Sequence, residues 1–318
     1  MNTYNNTVGG RPVGAPRTFE SFNPATGEVL GLVPHSSPDQ VREAVAAARA
    51  AQPAWAARPD EERKALTLKV AEVIRSNADD LAGWVTREQG KPLGGVGPGQ
   101  VPGARFEIFG CQAWTQVPAS LDLPVEVAFE DDTRRDEVHR QPWGVIAAIA
   151  PWNWPLLIAV WQMIPAIRAG NTVVIKPSEQ TPLTTLKLAK VLADILPEGV
   201  VNVVLGRGET TGNYLINHPK INMVSITGDI ATGKKALAAA AKTVKRTHLE
   251  LGGKAPVIIY DDADIEAAAA AIKTFGFYNA GQDCTAACRI YAGKKIYDKL
   301  VAELSSAVST IKFASEDD

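Results

Sequence analysis

The residue best suited to nucleophilic chemistry is Cys284, within the polar segment NAGQDCTAAC. Gly281 interrupts the helical pattern before it, so the cysteine is predicted to lie on a loop. A cysteine is a strong nucleophile when its thiolate is stabilised or a base lies nearby. Free cysteines are also commonly buried and inert, and the local sequence is compatible with either role. Cys288 precedes the apolar residues Ile290 and Tyr291 and fits an inert cysteine better.

Glu250 and Asn153 are the two side chains that could complete a reactive centre. Glu250 ends the segment THLELGG, and burial between its two leucines would suit a general base. A strand-end glutamate turned towards solvent fits the same sequence. Asn153 lies between two tryptophans in PWNWP, where its rigidly held amide could stabilise an oxyanion or cap a helix starting near Pro155.

A second group of motifs is suited to a nucleotide. An apolar segment is followed by KPSE, which consists of Lys176, Pro177, Ser178 and Glu179. A carboxylate at a strand end can bind ribose hydroxyls and favour NAD over NADP, although a solvated loop would look alike. GRGETTG contains Gly208 and Gly212, and TGDIATG contains Gly228. Each glycine segment could bind phosphate or could simply connect a strand to a helix.

These motifs are separated by a regular alternation of short β-branched segments and helical segments. From Trp143 onwards the predicted helices cover 155–169, 182–194, 209–217, 230–241, 264–279 and 295–312. Such an alternation predicts an α/β fold with a parallel sheet and right-handed crossovers. Because ligands bind at the carboxyl ends of parallel strands, the motifs are predicted to share one site.

The segments outside this alternation have less regular patterns. Residues 1–20 are predicted to form a loose arm, and ESFNPATGEVLGLVP a hairpin. Helices are predicted from a cap at Asp39, over 60–77, and towards Arg87. The glycine- and proline-rich residues 90–103 are predicted to be a long loop, and 121–142 a two-stranded excursion.

Composition limits the classes of partner. The 318 residues include 33 basic and 35 acidic side chains, a formal charge of −2, and no basic stripe, which argues against a nucleic-acid partner. The N-terminus lacks the features of a signal peptide, and Gln162 and Pro165 interrupt the longest apolar segment, which argues against a membrane partner. Three cysteines indicate a reducing, cytoplasmic location, and four scattered histidines predict no metal site.

Together the motifs PWNWP, KPSE, LELGGK and GQDC, in this order and spacing, resemble those of the NAD(P)-dependent aldehyde dehydrogenase superfamily. The stretch from SITGDIATG to CRIYA is most similar to the γ-aminobutyraldehyde dehydrogenases, with the betaine-aldehyde group as its neighbour. The resemblance implies a Rossmann-type parallel sheet, a partial α/β catalytic domain and a β-hairpin arm. It assigns 1–120 and 143–248 to NAD binding, 121–142 to an oligomerisation arm and 249–318 to the partial catalytic domain.

The resemblance also implies individual roles. Cys284 would attack the aldehyde, Asn153 would hold the oxyanion and Glu250 would activate water. Trp161 would line the substrate channel. The cofactor NAD would be bound by Trp152, Lys176, Pro177, Ser178, Glu179, Gly208, Gly212, Gly228, Asp229, Ile230, Ala231 and Leu251.

Three departures from the family are visible in the sequence. Asp229 stands where the family has a serine facing pyrophosphate, and at about 4 Å the repulsion would be on the order of 4 kcal/mol unless the side chain turns away or pairs with Lys234. Gln162 replaces a lysine associated with proton release. The last third of the family's chain, including its final assembly strand, is absent, so 249–318 is expected to expose a core face and strand edges.

Two hypotheses about function follow. The first is an NAD-dependent dehydrogenase that oxidises a small ω-aminoaldehyde such as 4-aminobutanal, or alternatively betaine aldehyde, within the homo-oligomers typical of the family. The second is an inactive fragment that binds NAD or associates with a full-length relative.

Overall fold

The computed structural model describes residues 2–94 and 102–312, and it contains strands, helices and short turns in a mixed order. The strands are β1 (Asn6–Val8), β2 (Arg11–Val13), β3 (Thr18–Phe22), β4 (Val29–Pro34), β5 (Glu126–Glu130), β6 (Arg135–Val138), β7 (Val145–Ile149), β8 (Thr172–Lys176), β9 (Val201–Val203), β10 (Met223–Gly228), β11 (Arg246–Leu251), β12 (Pro256–Ile259) and β13 (Arg289–Ala292). The helices are α1 (Pro38–Ala56), α2 (Asp60–Ser76), α3 (Ala78–Gln89), α4 (Ala104–Ser120), α5 (Pro155–Arg168), α6 (Leu183–Leu192), α7 (Asn213–Asn217), α8 (Ile230–Ala241), α9 (Ile265–Phe277) and α10 (Tyr297–Ser309).

The main sheet has the strand order β11-β10-β7-β8-β9-β1-β2, and β11 through β9 run parallel. The prediction of an α/β fold with a parallel sheet is therefore confirmed. The strand order reverses at β7, which pairs with β8 on one side and with β10 on the other. In open parallel sheets a ligand crevice forms at such a switch point, outside the carboxyl ends of the strands.

Helices cover both faces of the main sheet because its central strands are apolar on both faces. In β7, Ile146 and Ala148 pack into a core shared with α2–α6, whereas Val145 and Ala147 pack against α1 and α8. Parallel strands buried on both faces need this uninterrupted apolar sequence. The result is a rigid base below the strand ends.

The N-terminal residues do not form the loose arm predicted for 1–20. β1 and β2 form a hairpin that extends the main sheet, and Thr7 pairs with Val203 of β9. Gly9 and Gly10 make the turn with φ of 59° and 75°, a conformation that suits glycine. The buried Asn6 side chain accepts a hydrogen bond from the Leu205 N–H at 2.9 Å. This polar side chain therefore binds the protein backbone rather than solvent.

Two other local predictions differ from the structure. The cap of α1 is Ser37, not Asp39: Ser37 Oγ accepts from the Gln40 N–H and Gln40 Oε1 from the Ser37 N–H. With Pro38 in the first turn, the helix starts two residues earlier than expected. Helix 209–217 begins as a wide π-type turn, Gly208–Gly212, before α7. The predicted hairpin is confirmed as β3–β4, whereas residues 95–101 of the predicted 90–103 loop lie outside the described residues.

Beyond β11 the chain forms a smaller unit. β12 and β13 make a separate two-stranded parallel sheet that packs with α9 and α10. Its buried core consists of Ile259, Ile265, Ile272, Ile296 and Leu300. β11 ends at Leu251 in the main sheet, so the predicted domain boundary at 249 falls within a strand. The predicted 121–142 excursion contains the antiparallel pair β5–β6, whose residues are all exposed.

No helix in the described ranges has the length and apolar character needed to cross a membrane. Among the same residues, no cluster of three or more His, Cys, Asp or Glu side chains could hold a metal ion.

Candidate active site

A cleft of about 510 Å³ opens where the main sheet meets the smaller unit. Its walls come from the ends of β7, β8, β10 and β11 and from the loop that carries Cys284. The predicted site residues that line it are Trp152, Asn153, Lys176, Ser178, Glu179, Gly208, Gly228, Asp229, Glu250, Leu251 and Cys284. Motifs spread over 130 residues of sequence thus meet in one cavity because parallel strands end on the same edge.

Cys284 lies on a turn of this loop and is exposed, as is Cys288. The expectation that Cys288 is a buried cysteine is therefore wrong. Partial burial and the nearby Asp283 and Glu250 carboxylates raise the pKa of the Cys284 thiol. In the geometry described here the thiol is accessible but is held in its protonated form.

Asp283 is fixed by its own hydrogen bonds. Its carboxylate accepts from Trp154 Nε1 at 2.6 Å and from the Thr285 N–H at 2.6 Å. Burial opposes ionisation, but hydrogen bonds from Thr285, Trp154 and Tyr278 outweigh it and lower the pKa of Asp283. Asp283 is therefore a charged structural residue of the loop, and it opposes ionisation of the neighbouring thiol.

Asn153 lies beside the Cys284 loop and does not cap α5, whose N-cap is Trp154. Its Nδ2 donates to the Gln282 carbonyl at 3.1 Å. Among the described residues the second N–H of this amide has no acceptor, and Asn153 lines the cleft. The helix-cap alternative does not apply at this position, and the oxyanion role stays a prediction.

Glu250 reaches the cleft from the end of β11, opposite the loop that carries Cys284. Its side chain is 47% exposed, so the predicted burial between two leucines does not occur. The reason is that β11 is the edge strand of the main sheet. Glu250 Oε1 lies 3.5 Å from His248 Nε2, and His248 Nδ1 lies 3.0 Å from Ser225 Oγ, so a short polar chain orients the carboxylate.

Lys176 and Glu179 form a linked pair at the end of β8. Lys176 is buried, and its ammonium donates to the Pro177 carbonyl at 2.7 Å, the Gly206 carbonyl at 3.0 Å and Glu179 Oε2 at 3.1 Å. Burial lowers the pKa of Lys176. Burial works against ionisation of Glu179, but Lys176 and the Gly208 N–H outweigh it and lower the pKa of this carboxyl. An ionised acceptor therefore faces the cleft.

The glycines of the cleft leave room for a ligand. A side chain at Gly208 or Gly228 would meet no atom within 4 Å and would project into open space. At Gly233 of α8, a Cβ would lie 2.6 Å from the Leu251 side chain, so this glycine lets α8 approach β11. The first two glycines keep the cleft open, and the third allows α8 to pack closely against Leu251, which lines the cleft.

Asp229 is the N-cap of α8. Its Oδ1 accepts from the Ala231 N–H at 2.7 Å, and the side chain is exposed. The carboxylate has therefore turned towards its own helix, one of the two arrangements that the sequence left open. Solvent exposure screens its charge, so the expected repulsion of about 4 kcal/mol is too large for this geometry.

Five predicted residues do not line the cleft. Pro177 and Gly212 lie behind Lys176: the Pro177 carbonyl accepts from its ammonium, and a Cβ on Gly212 would lie 3.5 Å from its side chain. Ile230 and Ala231 begin α8 on the surface. Trp161 is half-buried and stacks on Trp114 with ring centroids 4.8 Å apart.

Gln162 connects two strands at the switch point. It is buried, and its Nε2 donates to the Ile149 carbonyl at 3.1 Å and to Thr227 Oγ1 at 3.2 Å. Ile149 ends β7, and Thr227 lies near the end of β10. Gln162 therefore links the ends of β7 and β10, where Ile149 and Thr227 line the cleft.

A buried ion pair that the sequence did not predict lies beneath the PWNWP turn. Lys91 and Glu107 are fully buried and hydrogen-bonded to each other. Lys91 Nζ donates to the Asn153 carbonyl at 3.0 Å, and Glu107 Oε1 accepts from the N–H groups of Leu156 and Leu157 at 2.8 and 3.0 Å. The pair holds the PWNWP turn and the start of α5. No local pattern indicated it, because Lys91 lies in an apparent loop and Glu107 in an ordinary helix.

Comparison with known proteins agrees with this geometry. The model of the aldehyde dehydrogenase family matches residues 13–318. The chain is 39% identical over 304 residues to phenylacetaldehyde dehydrogenase of Pseudomonas fluorescens, covering 94% of this chain and 61% of that protein. It is 39% identical over 301 residues to betaine aldehyde dehydrogenase of Sinorhizobium fredii, covering 93% and 60%.

A solved structure of similar fold is 3,6-anhydro-L-galactose dehydrogenase in complex with NAP. It superposes with a TM-score of 0.91 at 35% identity, covering 98% of this chain and 65% of that one. The chain therefore spans about three fifths of the length of the curated relatives that it matches.

Proposed function

Because the chain belongs to the aldehyde dehydrogenase family, we propose that its cleft carries the cofactor side and the nucleophile of an NAD-dependent aldehyde oxidation. The observation that carries the proposal is the meeting of Cys284, Asn153 and Glu250 with the strand-end pair Lys176–Glu179 in one cavity. Nucleophile, oxyanion donor, base and ribose acceptor are the groups that this reaction requires.

In the proposed mechanism the Cys284 thiol gives its proton to solvent, and Sγ attacks the aldehyde carbon to form a thiohemiacetal. The second N–H of the Asn153 amide and the Cys284 backbone N–H stabilise the negative oxygen. NAD, held by Lys176 and Glu179, would supply the hydride acceptor that oxidises this adduct to a thioester. Glu250 takes a proton from water, which hydrolyses the thioester to the carboxylic acid and releases Cys284.

The described residues fit a bound dinucleotide. The ionised Glu179 carboxylate can accept hydrogen bonds from ribose hydroxyls and would repel a 2′-phosphate, which favours NAD over NADP. Gly208 and Gly228 leave the space that a nucleotide backbone needs. Four of the predicted cofactor residues would lie near the dinucleotide without contacting it. They are the surface residues Ile230 and Ala231 and the buried residues Pro177 and Gly212.

For the substrate we propose a small ω-aminoaldehyde such as 4-aminobutanal, with betaine aldehyde as the alternative. The similarity of the Cys284 segment to aminobutyraldehyde dehydrogenases supports the first. The arm β5–β6, with its exposed Val127 and Phe129, would serve subunit association, and the three free cysteines fit a reducing, cytoplasmic location.

A second candidate function is binding without turnover. Two observations favour it: the pKa of Cys284 is raised, and Asp229 places an exposed carboxylate on the wall of the cleft at the start of α8. Such a chain would bind NAD or associate with a longer relative.

The deciding experiment offers the purified chain NAD with 4-aminobutanal, betaine aldehyde and phenylacetaldehyde. The proposal predicts a burst of NADH with at least one aldehyde and its loss in Cys284→Ser. If no aldehyde gives NADH, the chain is not a dehydrogenase by itself. Calorimetric titration with NAD then tests the second candidate, for which binding in the micromolar range is the expected result.

A further inference from the structure

Asn279 occupies a buried position between the PWNWP turn and the Cys284 loop. It follows α9, is 1% exposed and has a φ of 55°, which asparagine tolerates better than most residues. Its Nδ2 lies 2.9 Å from the Asn153 carbonyl oxygen and 2.8 Å from the Gln282 carbonyl oxygen. An amide nitrogen carries two hydrogens, so one can be donated to each carbonyl.

The chemistry fixes the orientation of this amide. A flipped side chain would place Oδ1 against two carbonyl oxygens, which cannot donate. As oriented, Asn279 Oδ1 is buried and has no hydrogen-bond partner among the described residues. A buried acceptor without a partner costs stability, so the two N–H bonds are retained against that cost.

Of the two carbonyls that Asn279 joins, one belongs to an oxyanion donor of the proposed mechanism and the other to the loop that carries the second donor. One is the backbone carbonyl of Asn153, which also accepts from Lys91 Nζ at 3.0 Å. The other is Gln282, whose carbonyl also accepts from the Asn153 amide at 3.1 Å and which lies two residues before Cys284. Without Asn279, the Asn153 amide and the Trp154 indole would still contact the loop, but the backbone carbonyl of Asn153 would lose its link to the Gln282 carbonyl, so the distance between the two donors would be less tightly fixed.

We propose that Asn279 is a positioning residue that sets the distance between the Asn153 amide and the Cys284 loop. This inference rests on the proposed function, since it assigns Asn279 to the oxyanion site of that reaction. Small displacements of such donors are costly, because stabilisation of the oxyanion depends on donors placed before the reaction begins.

Two reagents that modify Cys284 without NAD separate this role from a general structural one. Acyl transfer from p-nitrophenyl acetate passes through a tetrahedral oxyanion, whereas alkylation by iodoacetamide does not. The variants are Asn279→Gly, which tolerates the positive φ and removes the amide, and Asn279→Asp, which keeps the shape but cannot donate to both carbonyls. Cys284→Ser leaves the exposed Cys288 and sets the background for each reagent.

The expected result is that nitrophenolate release by both variants falls on the order of 10²-fold, while alkylation of Cys284 and the circular dichroism spectrum change little. Equal changes in the two reactions, or none, would overturn the proposal. So would failure of both variants to fold, because Asn279 would then be needed by the fold as a whole. If the wild type releases no nitrophenolate above the Cys284→Ser background, the proposed function itself fails, and the inference with it.

Discussion

The two sides of the cleft differ in how completely their strands are buried. On the cofactor side, β8 is buried along its whole length and lies between two layers of helices. On the nucleophile side, β12 and β13 form a two-stranded sheet over a core of five buried residues. Large apolar side chains of this smaller unit, such as Ile258 at 63% and Tyr260 at 72%, remain exposed.

The difference shows where precision in the site originates. Lys176 and Glu179 are held by the main sheet, whose strands are fixed on both faces. Cys284 has no such sheet below it, and its loop is held by hydrogen bonds to residues of the larger body, namely Asn153 and Trp154. We infer that polar contacts, rather than its own core, place the nucleophile.

The largest expected effect comes from truncating one buried side chain on each side. Ile175→Ala, in the middle of β8, should lower the free energy of unfolding by about 2–5 kcal/mol because it leaves a cavity in a closed core. Leu300→Ala, in α10, should instead speed hydrogen exchange in α9 and α10 and leave the main urea transition nearly unchanged. If both variants shifted one urea transition by the same amount, the two sides of the cleft would unfold together, and the proposed difference in stability between them would be wrong.

The next effect is a dependence of stability on pH, between the two pKa values of Glu88, that should arise in the larger body on the cofactor side. Burial raises the pKa of Glu88 from 4.5 to about 7, although its carboxylate accepts from the N–H groups of Leu183 and Thr184. Between these two values the folded chain keeps a proton that the unfolded chain has lost. The free energy of unfolding should therefore fall by up to about 3 kcal/mol as pH rises through this window, and then level off.

Urea unfolding at about pH 5 and about pH 8 measures this effect. Glu88→Gln should abolish most of the difference, whereas Glu62→Gln, at an exposed position, should leave it in place. An unchanged slope in Glu88→Gln would assign the pH dependence to another group.

The smallest effect concerns NAD affinity. Removing the exposed carboxylate in Asp229→Ser should strengthen binding about fivefold, which corresponds to about 1 kcal/mol for a screened charge. Asp229→Asn keeps the helix cap without the charge and should gain as much, and added salt should reduce both gains. Calorimetric titration gives the dissociation constants. Unchanged affinity in both variants would mean that Asp229 does not face the cofactor.

The sequence predicted the part of the molecule where local patterns and long-range packing agree. The central strands β7 and β8 are buried on both faces, and the parallel sheet followed from their apolar sequence and the alternation around them. The pairing of β1 with β9 could not be predicted, because its short polar strands gain stability only from a distant partner. Lys91 and Asn279 were missed for a similar reason: each acts through backbone carbonyls that are far away in sequence. For Glu250 the sequence left burial and exposure open, because it does not reveal that β11 is an edge strand.

The pairing of Thr7 with Val203 has a consequence for biosynthesis. β1 is translated almost 200 residues before β9, since the Asn6 side chain and the Leu205 N–H are separated by 199 positions. Until β9 is translated, the edge of the β1–β2 hairpin that later pairs with β9 remains unpaired and available to other chains. We expect the hairpin to join the main sheet only after β9 has been translated, and the nascent chain to need protection from aggregation at this edge until then.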